Sequence, residues 1–102
     1  MTQPQTLTLP AKERLILDLL VAHGSLYGLE LVERSAGALK RGTVYVTLGR
    51  MEAKGFVTSE REDLPEGAIG LPRRHYRATG LGERALRAWS TLADELRLVV
   101  QP

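Results

Sequence analysis

Residues 39–59 read LKRGTVYVTLGRMEAKGFVTS, and the hydrophobic period changes once within them. Up to Gly55, Val44, Leu48 and Met51 recur at spacings of four and three, which predicts a helix over residues 41–54. Beyond the glycine, Phe56, Val57, Thr58 and Ser59 follow a period of two, and a short strand is expected there. The helix is weak by propensity: Thr43, Val44, Val46 and Thr47 are β-branched, and a mid-helix Gly49 costs nearly 1 kcal/mol relative to alanine. Neighbouring elements must hold it in place.

Working outward, residues 1–9 lack a period and read as an arm, while Pro10 suits a first helical turn. Leu15, Ile16, Leu19 and Leu20 form a helical stripe over residues 11–23, with Lys12, Glu13 and Asp18 off it and Gly24 as the stop. A second helix is expected with Ser25 as its cap, Leu29, Val32 and Ala36 on its inner face and Gly37 at its end. Downstream, residues 74–78 (RHYRA) are the partner of the first strand, joined to it by a long loop, Glu62 to Pro72, that contains two prolines and two glycines. Thr79 then caps a last helix over 81–100. Its apolar set, Ala85, Leu86, Trp89, Leu92, Ala93, Leu96, Val99 and Val100, spans roughly 140° of the helical wheel.

These elements predict a mainly α fold with a small β-hairpin, a winged helix-turn-helix with a C-terminal dimerisation helix. A four-helix bundle would have no use for the strands. The division expected is an arm (1–9), a DNA-binding winged helix (10–79) and a dimerisation helix (80–102). A domain of 102 residues buries only about two-thirds of its unfolded surface, so a surplus apolar helix face is better covered by a second subunit.

Composition narrows the function classes. The absence of cysteine excludes disulfides, thiolate metal sites and a cysteine nucleophile. The longest apolar run, Leu15 to Ala22, is broken by Asp18, and the N-terminus lacks the form of a signal peptide, so a cytoplasmic protein without membrane contact is expected. The net charge of +2 is unevenly spread: residues 40–78 carry eight basic and five acidic groups, against three and four before them and three and three after. A basic middle suggests a polyanion partner. His23 and His75 show no metal-ligand spacing, and no serine sits in a nucleophile elbow, so neither an enzyme, a metal site nor a cofactor is expected.

With Val44, Leu48 and Met51 turned inward, the third helix presents Gly42, Thr43, Val46, Gly49, Arg50 and Ala53 outward. So small-sided a face lets a backbone approach the floor of a major groove, with Arg50 as the main hydrogen-bonding group and Thr43 and Val46 near thymine methyls. Lys40 and Arg41 at the start of that helix suit phosphate. Alone, the trio Lys40, Arg41 and Lys54 would read as a solvated surface. Tyr45 and Tyr76 read first as packing, with the Tyr45 hydroxyl available to a phosphate. On the returning strand Arg73, Arg74 and Arg77 fit a DNA backbone, and cations on an edge strand also discourage aggregation. Glu62, Asp63 and Glu66 in the loop imply an acidic tip that points away from DNA.

The stretches LYGLELVERSAG, LKRGTVYVTLGRMEAKGFV and GLPRRHYRATGLGERAL, across about residues 15–88, resemble the PadR-like family of bacterial transcriptional regulators. The resemblance implies a homodimeric winged-helix repressor on a palindromic operator, with the third helix in the major groove of double-stranded DNA and the wing on the backbone. It also implies subunit contacts through the terminal helix, here Leu86, Trp89, Leu92, Leu96 and Val99. Val46 stands where the family usually has proline, and Gly49 where a larger residue is common, so base contacts are not carried over. Trp89, the lone tryptophan, reads first as packing. Some multidrug-sensing members bind flat aromatic compounds against a tryptophan between subunits, and the resemblance extends that role to Trp89 as a small aromatic effector's contact. The competing reading is a winged-helix protein–protein interaction module whose third helix binds a protein.

Overall fold

A computed structural model describes residues 9–67, 69–70 and 72–100 of the chain. Helix α1 (Ala11–His23) starts after Pro10, whose carbonyl accepts the Arg14 N–H at 3.0 Å. It stops at Gly24, where φ is +84° and the N–H returns to the Leu20 carbonyl at 2.7 Å, a geometry that favours glycine. Ile16, Leu17 and Leu20 are its fully buried face, with Leu15 and Leu19 packed at the margin.

A strand that the sequence reading missed follows at once. β1 (Leu26–Tyr27) has two residues, too few to show alternation, and it displaces the expected Ser25 cap. Helix α2 (Gly28–Arg34) is instead capped at Tyr27, whose backbone N–H donates to Glu30 Oε1 at 2.9 Å. Leu31 enters the core and Val32 packs against it as expected, whereas Leu29 is exposed and Ala36 lies beyond the helix at φ +53°. The buried Ser35 braces the turn that follows, its hydroxyl donating to the Val32 carbonyl at 2.7 Å and accepting the Leu39 N–H at 2.9 Å.

Helix α3 (Val44–Ala53) begins three residues later than expected, because residues 41–43 form a turn whose Lys40 carbonyl accepts the Val44 N–H at 2.9 Å. Val44, Leu48 and Met51 are buried as the stripe requires. Phe56 is core rather than strand; β2 (Val57–Arg61) starts one residue on and runs further than expected. β3 (Arg74–Ala78) lies between the other two strands, in the order β1-β3-β2, so the hairpin is part of a three-stranded antiparallel sheet. Its register pairs Leu26 with Tyr76 on one side and Ser59 with Tyr76 on the other.

Helix α4 (Gly80–Val100) docks by its first turns only. Thr79 holds that start: its N–H donates to the Phe56 carbonyl at 3.0 Å, its hydroxyl donates to the Gly55 carbonyl, and Oγ1 accepts the Gly82 N–H at 3.0 Å. Glu13, off the apolar stripe of α1, is nevertheless buried, and its Oε1 takes the Lys54 ammonium at 2.8 Å. Lys54 thus ties the end of α3 to α1 and leaves the basic trio with Lys40 and Arg41. Among the described residues no helix is long and apolar enough to cross a membrane.

Candidate nucleic-acid interface

The packing of Val44, Leu48 and Met51 turns the opposite side of α3 to solvent. Val46 is 57% exposed and Tyr45 50%, and Thr43, Gly49 and Arg50 lie beside them. An added Cβ at Gly42 or Gly49 would meet no atom within 4 Å, so this face is open as well as small-sided. Lys40 and Arg41 are exposed at its start, and among the described residues Lys40, Arg41 and Arg50 join no ion pair.

Tyr45 is neither core nor free. Its ring lies on Gly28, where a Cβ would come 2.5 Å from Cε1 and 2.8 Å from the hydroxyl oxygen. Glycine at the start of α2 leaves room for the ring there; a larger residue would push the half-exposed Tyr45 side chain aside.

The register divides the wing's cations. Strand residues alternate between faces, so Arg61 and Arg74, directly paired across β2 and β3, share the face of Ser59 and Tyr76. That face borders a concavity of about 790 Å³, whose other walls include Gly28, Tyr45 and Glu30. Arg74 donates to Ser59 Oγ at 3.1 Å, and Ser59 donates to Glu52 Oε2 of α3 at 3.0 Å. Two like charges directly opposite destabilise a strand pair unless an anion lies between them. Arg61 was missed by the sequence reading because the strand was ended at Ser59; extending the alternation from Val57 through Ser59 would have found it.

Arg73 also borders the concavity, but it is engaged within the protein: Nε donates to Glu62 Oε2 at 3.3 Å, and the guanidinium lies 4.1 Å over the Tyr27 ring. Arg77 does not join them. It lies on the opposite face with His75, Thr58 and Glu60, so the three arginines expected as one cluster are split. The Tyr27 phenol, hydrogen-bonded to the Glu62 carboxylate, is held above its ordinary pKa, with burial acting the same way and Arg73 opposing. Burial likewise raises the Tyr76 phenol, and the Glu52 carboxylate adds to it.

The terminal helix shows two regimes. Leu86 is packed within its own chain's core, whereas Leu92, Leu96 and Val99 are 56%, 53% and 77% exposed. Trp89 stands between, with the Arg14 guanidinium 3.7 Å over its ring, beside an open groove of about 370 Å³ that includes Phe56, Leu81, Ala88 and Leu92.

Residues 16–88, more than half the chain, match the family described as "Transcriptional regulator PadR-like family". A comparison with curated proteins found no match. Among solved structures, the chain is similar to a PadR family transcription regulator from hypervirulent Clostridium difficile R20291, at 27% identity and a TM-score of 0.72, covering 86% of this chain and 92% of that one. It is similar to a PadR family transcriptional regulator from Eggerthella lenta DSM 2243, at 29% identity and 0.64, covering 87% and 81%. Bacillus subtilis PadR, solved in complex with operator DNA, shares the fold at 23% identity and a TM-score of 0.67, covering 80% of this chain and 48% of that one.

Proposed function

Because this chain belongs to the PadR-like family of transcriptional regulators, we propose that it is a cytoplasmic, homodimeric repressor that binds a palindromic operator with α3 in the major groove and the wing on the adjacent backbone. The observation that carries this reading is the open, small-sided face of α3, with Arg50 on it, Lys40 and Arg41 at its start, and Arg61 and Arg74 across the concavity from Tyr45. In this reading Arg50 reads base edges, Thr43 and Val46 meet thymine methyls, and the Tyr45 hydroxyl joins Lys40, Arg41 and Arg74 on phosphates.

Leu92, Leu96 and Val99, with Trp89, are the proposed subunit contact. An apolar stripe exposed along one helix face is suited to a two-fold, self-complementary interface, and a dimer then requires inverted half-sites spaced in multiples of about 10 base pairs. The groove at Trp89, about 370 Å³, is large enough for a small aromatic effector, which would have to displace Arg14 to stack on the covered ring face.

Footprinting on the chain's own upstream DNA, followed by a salt titration, tests the reading. Three or four cationic contacts per subunit give a dimer a log–log salt slope of about −5 to −7. A slope near zero would favour a protein partner for α3 instead.

A further inference from the structure

Tyr27 links the start of α2 to both arms of the wing. Tyr27 caps α2 through its backbone, and its neighbour Gly28 carries the Tyr45 ring of α3. The Tyr27 hydroxyl donates to Glu62 Oε1 at 3.0 Å, just beyond the end of β2. The other oxygen of that carboxylate takes Arg73 Nε, and the Arg73 guanidinium returns to cover the Tyr27 ring, whose centroid is 4.5 Å from that of His75. The Glu62 N–H closes the strand pair on the Arg73 carbonyl at 2.7 Å.

We infer that Tyr27, Glu62 and Arg73 form a brace that sets the wing against the start of α2 and withholds Arg73 from DNA, leaving Arg61 and Arg74 as the wing's phosphate contacts. The inference rests on the DNA-binding reading and reverses the role that sequence gave to Arg73. An exposed ion pair alone contributes little. Here the carboxylate is also held by a phenol, and the guanidinium is stacked on one face, so its charge is already offset by a seated anion before any phosphate arrives. Arg74 is hydrogen-bonded to the neutral Ser59 hydroxyl, and among the described residues neither it nor Arg61, directly opposite, joins an ion pair. Tyr27 is a positioning residue in this arrangement: it reaches DNA only through the angle it gives the wing.

The test is the salt dependence of binding to a mixed-sequence duplex of about three helical turns, which requires no knowledge of the operator. Arg61→Ala and Arg74→Ala are each expected to lower the log–log slope by about 0.9 per subunit, while Arg73→Ala leaves it unchanged. Glu62→Gln keeps the side chain's size, frees Arg73 and raises the slope by about 0.9 per subunit; adding Arg73→Ala to it restores the wild-type slope. A fall in slope for Arg73→Ala equal to that for Arg74→Ala, or no rise for Glu62→Gln, would overturn the inference. A wild-type protein that fails to bind the duplex even at low salt would overturn the DNA-binding reading and the withholding of Arg73 with it. The brace itself is checked without DNA. Tyr27→Phe keeps the ring and should speed hydrogen exchange at the Glu62 amide; an unchanged rate there would refute the brace even if the DNA-binding reading stood.

Discussion

Replacing Gly82 with alanine sets two physical effects of opposite sign against each other. In a helix interior alanine is preferred to glycine by about 1 kcal/mol, so local propensity predicts a more stable protein. Packing predicts the reverse. An added Cβ at Gly82 would fall inside van der Waals contact with the Phe56 carbonyl oxygen and lie 3.1 Å from Leu17 Cδ2. Neither neighbour can retreat: the carbonyl accepts the Thr79 N–H at 3.0 Å, and both Phe56 and Leu17 are fully buried. Helix α4 must therefore move outward by a distance on the order of 1 Å, which loosens Leu86 and the Thr79 cap. Overpacking of this kind costs about 1–3 kcal/mol and a weakened backbone hydrogen bond about 1 kcal/mol more, less about 1 kcal/mol of propensity gained, so a net loss of about 2 kcal/mol is expected. For a domain of this size that is a fall in Tm of about 10 °C. The assay is thermal unfolding followed by circular dichroism, at equal protein concentrations because assembly makes Tm concentration-dependent. Gly49→Ala is the control, since its Cβ meets nothing within 4 Å and should raise Tm. If Gly82→Ala unfolds at or above the wild-type temperature, α4 does not approach the Phe56 peptide closely and the reasoning fails.

Lys54→Met should destabilise the fold by about 2–3 kcal/mol in urea titrations, because it strands the buried Glu13 carboxylate; the double variant with Glu13→Leu should recover most of the loss. The phenols of Tyr27 and Tyr76 titrate above their ordinary value in the folded chain, so the unfolded chain ionises first: stability is full below about pH 10 and falls as pH rises beyond it. Tyr76→Phe should lessen that alkaline loss in chemical denaturation at successive pH values. If the chain is the proposed dimer, Leu92→Asp combined with Leu96→Asp should convert it to a folded monomer in light scattering, whereas a dimer untouched by both changes would place the interface elsewhere. Arg50→Ala should reduce discrimination between operator and mixed-sequence DNA, and Arg74→Ala should weaken both alike; the reverse pattern in binding titrations would mean that α3 is oriented differently.

Sequence reading succeeded where one period ran long enough to be tested against another. The Val44–Leu48–Met51 stripe, the 74–78 strand and the limits of α1 all stand in the structure. It failed where an element was too short to have a period. β1 is two residues long, and without it the pattern points to Ser25 as the start of α2 and to Leu29, Val32 and Ala36 as its inner face, of which only Val32 packs against the core. Glu13 and Lys54 are distant in sequence, and only the packing of α1 against α3 brings them to 2.8 Å. The wing arginines failed for a different reason. Adjacent residues on a strand face opposite ways, so a dense run such as Arg73-Arg74-His75-Tyr76-Arg77 is a cluster in sequence and two faces in space.

Of the motifs that carried the family resemblance, several describe how the domain is assembled rather than what it reads. Gly28 makes room for the Tyr45 ring, Thr79 joins the Gly55–Phe56 turn to α4, and Gly82 is required because a carbonyl occupies the space of its Cβ. None of these three side-chain positions is free to meet a base. The positions at which this chain departs from the family pattern, Val46 and Gly49, lie instead on the exposed face of α3, where no packing within the chain limits the choice of residue. Operator preference on the proposed reading therefore rests on Thr43, Val46 and Arg50, with the close approach that Gly49 allows, on a scaffold fixed by other residues. A change at Gly49 should alter which DNA is bound while leaving the fold intact, and a change at Gly82 should do the opposite.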